Sequence, residues 1–221
     1  MAYSNLHNPT EHRRRRGRWV RRVAVLSLCA FLWSILGFQA RCAGIRKEVL
    51  RLHVIANSDS EADQSAKLHV RDRLLEAGAD MFDGTMDAAG AEAEITPRIA
   101  ELEACARAAL RERGLNYPVR VTVGEEYFGT RTYEEAGVTL PAGRYQALRV
   151  ILGAGEGRNW WCVMFPPLCL PVASARAAVS LDAVLTNGQL HVVKSNPKFE
   201  IRFKLVEIWE SLKEKINCRG G

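Results

Sequence analysis

The stretch from Val49 to Leu75 reads VLRLHVIANSDSEADQSAKLHVRDRLL, and its period changes in the middle. In the first part Leu50, Leu52, Val54 and Ala56 alternate with Arg51, His53, Ile55 and Asn57, the two-residue repeat of an extended strand. In the second part Ala62, Ala66, Val70 and Leu74 recur at helical spacing, and Ala77 and Met81 continue the stripe beyond it. Between the two lies Asn57-Ser58-Asp59-Ser60-Glu61. Ser58 with Glu61, and Ser60 with Asp63, both have the spacing of a helix cap. The stretch predicts a strand, a polar turn, and a helix whose N-terminus opens in that turn.

Outward toward the N-terminus the chain becomes basic and then apolar. Arg13, Arg14, Arg15, Arg16, Arg18, Arg21 and Arg22 precede VAVLSLCAFLWSILGF, Val23 to Phe38. A basic flank before an apolar run is export architecture, and arginines of that kind stay in the cytoplasm. Everything after Arg41 is then expected on the far side. The run is close to the boundary between a signal segment and a short membrane span. Ala40, Cys42, Ala43 and Gly44 follow it, and they leave open whether it is removed. Residues 1–44 therefore read as a basic start with an apolar signal or anchor segment, and residues 45–221 as one extracytoplasmic domain.

The charge distribution argues against a nucleic-acid partner. The whole chain carries 31 Lys plus Arg, 25 Asp plus Glu and a formal charge of +6. Residues 1–40 hold seven Arg and one Glu, which accounts for all of the excess. The remainder is balanced and has no surplus to neutralise phosphates. With 48% hydrophobic and 25% charged residues, that remainder has the composition of a globular domain with a core.

Downstream, the pattern predicts an α+β domain with a mixed, largely antiparallel sheet packed against several helices. A strand is expected within Arg46–Asn57 and a helix from Ser60 to Phe82, broken at Asp83-Gly84-Thr85. Asp87 to Glu94 suits one or two helical turns. Thr96-Pro97 reads as a cap and first turn, opening a helix that Gly114 stops near Arg113. Val119, Val121 and Val123 alternate as a strand, and Tyr127 to Tyr133 forms a second extended run. After a turn at Leu140–Gly143 come strands at Tyr145–Leu152 and Trp160–Phe165. The glycine-rich Gly153–Gly157 is expected to join them as a hairpin loop. A short helix is read at Ser174–Leu185, stopped by Asn187-Gly188. Leu190–Val193 and Phe199–Phe203 are read as extended. Leu205, Ile208, Trp209, Leu212 and Ile216 mark a terminal amphipathic helix.

Chemistry-bearing residues crowd the first turn. Asn57, Ser58, Asp59, Ser60, Asp63 and Gln64 could be a capped helix start, a recognition surface, or, with His53, an acid/base or metal site of an exported hydrolase. Asp63, Lys67 and Arg71 lie four apart on one helix face, which is either solvated or turned to a partner. Trp160 and Trp161 are neighbours on a strand, so their rings point to opposite sides. Cys162 and Cys169 flank Pro166-Pro167 and are the best disulfide candidate in an exported domain; two buried thiols are the alternative. No phosphate loop, nucleophile elbow, zinc-protease motif or paired Cys-x-x-Cys occurs, so no cofactor, metal or small-molecule substrate is called for.

Three blocks carry a resemblance. They are RLHVIANSDSEADQSAKLHVRDRL from Arg51, LPAGRYQALRV from Leu140, and NWWCVMFPPLC from Asn159. In sequence and in order they resemble the stage II sporulation protein R family of endospore-forming bacteria, from about Ile45 to Leu170. The resemblance implies a signalling protein without catalysis of its own. Such a protein is exported from the forespore into the intermembrane space, tethered if residues 23–38 remain in the membrane. Its implied partner is a membrane-embedded aspartyl protease that processes the sigma factor E precursor. The expected contact surface is Asn57–Gln64 with Lys67, Arg71 and Trp160.

Overall fold

The computed structural model describes residues 9–82, 87–134, 136–166, 168, 181–194 and 200–217. The chain divides into two units, Met1–Ala40 and Arg41–Gly221. Helix α1, Pro9–Lys47, carries the apolar run. Its stretch Arg18–Lys47 is long and apolar enough to cross a membrane, with a hydropathy of 2.0, and almost none of it is buried within the protein. Leu26, Phe31, Trp33 and Leu36 face outward. Such a helix is compatible with a signal anchor or membrane tether.

In the second unit, β1 (Leu50–Ile55) runs into α2 (Glu61–Met81), as the change of period predicts. Arg46 and Lys47 belong to the end of α1, so the strand is shorter than the expected Arg46–Asn57. Ser60 caps α2 by accepting from the Asp63 backbone N–H at 3.2 Å. Asp87 caps α3 (Ala88–Ile95) in the same way. Thr96 does not cap the next helix. Its N–H is already bonded to the Glu92 carbonyl, so α3 passes through one 3-10 turn into α4 (Ile99–Glu112). Gly114 ends that helix with φ +72°, where a side chain would be strained.

The strands are β2 (Val119–Phe128), β3 (Arg131–Tyr133), β4 (Val138–Leu140), β5 (Gly143–Leu152) and β6 (Asn159–Phe165). The extended run expected at Tyr127–Tyr133 is split, since β2 continues to Phe128 and pairs with β5 along its whole length. The main sheet has the order β2-β5-β1-β6, and β3 with β4 forms a separate pair. β1 is parallel to β5 and antiparallel to β6, while β2 is antiparallel to β5. Thus β5 and β6 are not hairpin partners, and Gly153–Gly157 is a crossing connection over the end of β1. The reason lies in β1, an entirely buried strand that requires a neighbour on each side.

Side-chain parity builds two layers. Leu50, Leu52, Val54, Val119, Val121, Leu148, Val150, Leu152 and Met164 face Ala66, Val70, Leu74, Leu102, Ala106 and Leu110 of α2 and α4. β2 is an edge strand, and Glu103 of α4 accepts the Val121 backbone N–H at 3.0 Å, which blunts that edge. That bond holds the Glu103 carboxyl below its usual range.

Toward the C-terminus the short apolar runs take the opposite state to the one their sequence suggests. Of the expected Ser174–Leu185 helix, Leu181–Val184 is helical, as α5, and Leu185 lies just past its end; residues 174–180 lie outside the described residues, as do 83–85. Asn187-Gly188 does not stop a helix. Thr186 and Gln189 form a reciprocal capping box that starts α6 (Asn187–Val193), so Leu190–Val193 is helical. Helix α7 begins at Glu200, where an extended segment was expected. Runs of four or five apolar residues fit either state, and capping and packing decide.

Leu74 is fully buried at the centre of the helix-side core. Leu74→Ala is expected to cost about 3 kcal/mol and to lower the melting temperature by roughly 6–12 °C, read by thermal unfolding of the whole chain.

Candidate functional site

The C-terminal ends of the parallel strands β1 and β5 open on the turn Asn57–Ser60, a position where α/β sheets commonly place ligands. The turn is built around one carboxylate. Asp63 Oδ2 accepts from Ser58 Oγ at 2.6 Å and from Asn57 Nδ2 at 2.9 Å. Asp63 Oδ1 accepts from the Tyr117 hydroxyl at 2.8 Å. The residue is 4% exposed. Burial pushes its carboxyl up, but the hydrogen bonds from Ser58, Asn57, Tyr117 and Ser60 outweigh burial and hold it below the usual carboxylate range.

The β5–β6 connection is tied to the same turn. The Gly157 N–H donates to the Ala56 carbonyl at 2.9 Å, and the Ala154 N–H to Asn57 Oδ1 at 2.9 Å. The Arg158 N–H donates to Asp59 Oδ1 at 2.7 Å. Lys67 Nζ donates to Gln64 Oε1 at 2.6 Å and to the Arg158 carbonyl at 2.9 Å. Gln64 Nε2 in turn donates to the Ser58 carbonyl at 2.9 Å. Burial draws the Lys67 ammonium below its ordinary value, with Arg158 and Arg71 adding to the effect and Asp59 opposing it. Gly157 is required by close approach, because a Cβ there would lie 2.2 Å from the Ser58 carbonyl oxygen.

The predicted residues thus fall into two kinds. Asp63 and Lys67 are buried, and Asn57, Ser58 and Gln64 are half-buried with internal partners. Asp59 and Ser60 are exposed. Asp63 and Lys67 do not pair with each other; each has closer partners across the turn. Arg71 lies over the Trp160 ring at 4.6 Å, so these two form one half-buried stack beside the turn. Cys162 is buried and disulfide-bonded; Cys169 lies outside the described residues. Sequence reasoning missed Tyr117 and Arg158, which no local pattern links to the turn.

Parity sends His53 to the opposite face of the sheet. Its Nδ1–H donates to Glu126 Oε1 at 2.9 Å, and its ring stacks on Trp161 with centroids 3.7 Å apart. It hydrogen-bonds to neither Asp59 nor Asp63, so the hydrolase constellation is not assembled. Next to it Arg51 is 0% exposed. Its Nη2 donates to the Tyr133 hydroxyl at 2.8 Å, and the guanidinium lies 4.3 Å from the Phe128 ring centroid and 5.0 Å from that of Tyr145. Among the described residues its Nε and Nη1 have no hydrogen-bond partner. Burial draws its pKa down, with the nearby tyrosines opposing. Cation–π contact offsets part of the desolvation. Among the described residues no three His, Cys, Asp or Glu side chains converge as a metal would require.

Two outcomes are expected. Asp63→Ala leaves three donors without an acceptor and costs on the order of 3 kcal/mol, read by denaturant unfolding. Because the Asp63 carboxyl is depressed in the folded chain, its contribution is present above the unfolded carboxylate pKa and is lost as pH falls through the folded value. The acid limb of a stability–pH curve should therefore be shallower in Asp63→Asn than in the parent. Arg51→Met removes a buried, incompletely paired charge at similar volume, and is expected to leave the melting temperature unchanged or raised.

The model of the family described as stage II sporulation protein R matches residues 46–175. A protein of Bacillus subtilis (strain 168), named Stage II sporulation protein R, is 35% identical over 125 residues. That alignment covers 57% of this chain and 55% of the relative, so the match spans about half the length of the curated relative. No solved structure matches.

Proposed function

Because the chain belongs to the stage II sporulation protein R family, we propose that it is an exported signal of sporulation which activates a membrane-embedded aspartyl protease, the one that processes the sigma factor E precursor. A role in sporulation follows from membership. The observation that carries the finer reading is the family match over residues 46–175, which covers both the turn and the sheet. The apolar α1 supports it, since a segment of that length and hydropathy suits delivery to, or retention at, a membrane. In this reading the domain crosses from the forespore into the intermembrane space and acts as a ligand with no turnover of its own. It favours the active state of the protease by binding that state more tightly than the inactive one.

The proposed contact surface is the turn Asn57–Gln64 with Lys67, Arg71 and Trp160. Their burial divides the work. Asp63, Asn57, Ser58, Gln64 and Lys67 hold the shape of the turn. Asp59, Ser60, Arg158 and the Arg71–Trp160 stack present it. The Asp59–Arg158 ion pair, at 3.4 Å between exposed side chains, contributes little to stability, which leaves both groups available to a partner.

Co-expression of this chain with the candidate protease and the sigma factor precursor tests the activator role, with and without residues 1–44. Processing is expected only when the chain is present; processing that is independent of the chain rejects the reading. Arg158→Ala is expected to lower processing several-fold while leaving the melting temperature within about 2 °C of the parent, because its side chain is exposed and its backbone keeps the bonds to Asp59 and Lys67.

A further inference from the structure

Helix α7, Glu200–Asn217, packs on the domain by the side its sequence pattern does not favour. Phe203 and Val206 are buried, and Glu207, Glu210 and Glu214 flank them on the same side. Leu205, Ile208, Trp209, Leu212 and Ile216 are exposed, with Trp209 at 53%. At about 100° per residue this apolar stripe is centred roughly 130° around the helix from the Phe203–Val206 pair and roughly 180° from Glu207, Glu210 and Glu214, and it is about 16 Å long. Five large apolar side chains on one outward face exceed what a soluble surface ordinarily leaves open.

The charges around the stripe are partitioned. Glu210 pairs with Arg46 at 3.7 Å and with Lys213 at 3.1 Å. Glu214 pairs with Arg144 at 2.6 Å, and Glu207 with Lys204 at 3.0 Å. Glu210 and Glu214 are thus held toward the body of the domain, while Glu207 pairs along the helix. Lys204 and Lys215 are exposed along one border of the stripe, and Lys213 along the other, where its ammonium lies 5.4 Å from the Trp209 ring centroid. Among the described side chains of α7, every exposed charge is positive. A tryptophan-bearing apolar stripe bordered by lysines matches the interfacial zone of a bilayer. There the rings and aliphatic chains enter the acyl boundary, and the ammonium groups reach the headgroups. A second copy of this face would instead set lysine against lysine with no exposed acid to pair.

The chain also holds its own means of reaching such a surface. The stretch Arg18–Lys47 of α1 is long and apolar enough to cross a membrane. We propose that the outward face of α7, Leu205 to Ile216, lies on an anionic lipid surface. This inference does not depend on the protease, since lipid contact and activation can each fail without the other.

The test uses the full chain reconstituted into vesicles containing brominated phosphatidylcholine, with and without phosphatidylglycerol. Attachment is not the readout, because α1 is long and apolar enough to attach the chain by itself. The readout is the fluorescence of Trp209, taken as the difference between the parent and Trp209→Phe. With phosphatidylglycerol present, that component is expected to lose about half its intensity or more, as an interfacial indole would. It should lose less in phosphatidylcholine alone, and the loss should disappear in the double variant Ile208→Glu, Leu212→Glu, whose positions are exposed. An unquenched Trp209 in both lipids overturns the proposal. Equal quenching in both removes the anionic requirement and overturns it in that respect. If Trp209 is unquenched while the double variant stops precursor processing, the stripe is a protein-docking face and the lipid assignment is wrong.

Discussion

The buried carboxylate of Asp63 is the constraint on which the rest of the domain depends. It gathers Asn57 and Ser58 from the turn and Tyr117 from the entry to β2, so that two separate pieces of chain share one carboxylate on the first turn of α2. A buried carboxylate is costly unless its lone pairs are filled, and here both oxygens have donors. Lys67 repeats the device one turn later, by holding the Arg158 carbonyl. The crossing connection from β5 to β6 is thereby pinned over the end of β1. That placement lets β6 settle on the far side of β1 from β5.

With the turn locked, the register of β1 decides which chemistry goes to which face. Even-numbered residues of the strand go to the helix-covered core, and the odd-numbered Arg51 and His53 go to the other layer. The second layer is aromatic and polar together. His53, Glu126 and Trp161 form one cluster, and Arg51 with Phe128, Tyr133 and Tyr145 the next. A one-residue slip of β1 would exchange the two sets and put the arginine among leucines and valines. Specificity of register is therefore a role available to Arg51, whose guanidinium is a poor source of stability as it stands.

The same economy of charge runs through α7. Glu210 and Glu214 meet Arg46 and Arg144 on the body, and the stripe from Leu205 to Ile216 is left outward. An amphipathic pattern shows that a helix has an apolar side, without showing which side the domain will cover. In α2 and α4 the apolar side is the packed one. In α7 the ion pairs with the body and the buried Phe203 and Val206 win instead.

The sequence alone settled what depends on neighbours along the chain. The strand–turn–helix from Leu50 to Met81, the Ser60 cap, the apolar N-terminal helix, the α+β class and the family all rest on short-range periodicity or on local blocks. Hydrogen bonding within a helix, and alternation within a strand, act over four residues or fewer. The role of Asp63 was half legible: the cap spacing drew notice to the turn, but Tyr117 and the 153–158 connection are distant in sequence and carry no pattern that points back to it. Tertiary structure alone decided the parallel pairing of β1 with β5, the separation of His53 from Asp59 and Asp63, and the outward stripe of α7. Each of these turns on which surfaces exclude water together, and that depends on chain segments up to about a hundred residues apart rather than on the segment itself.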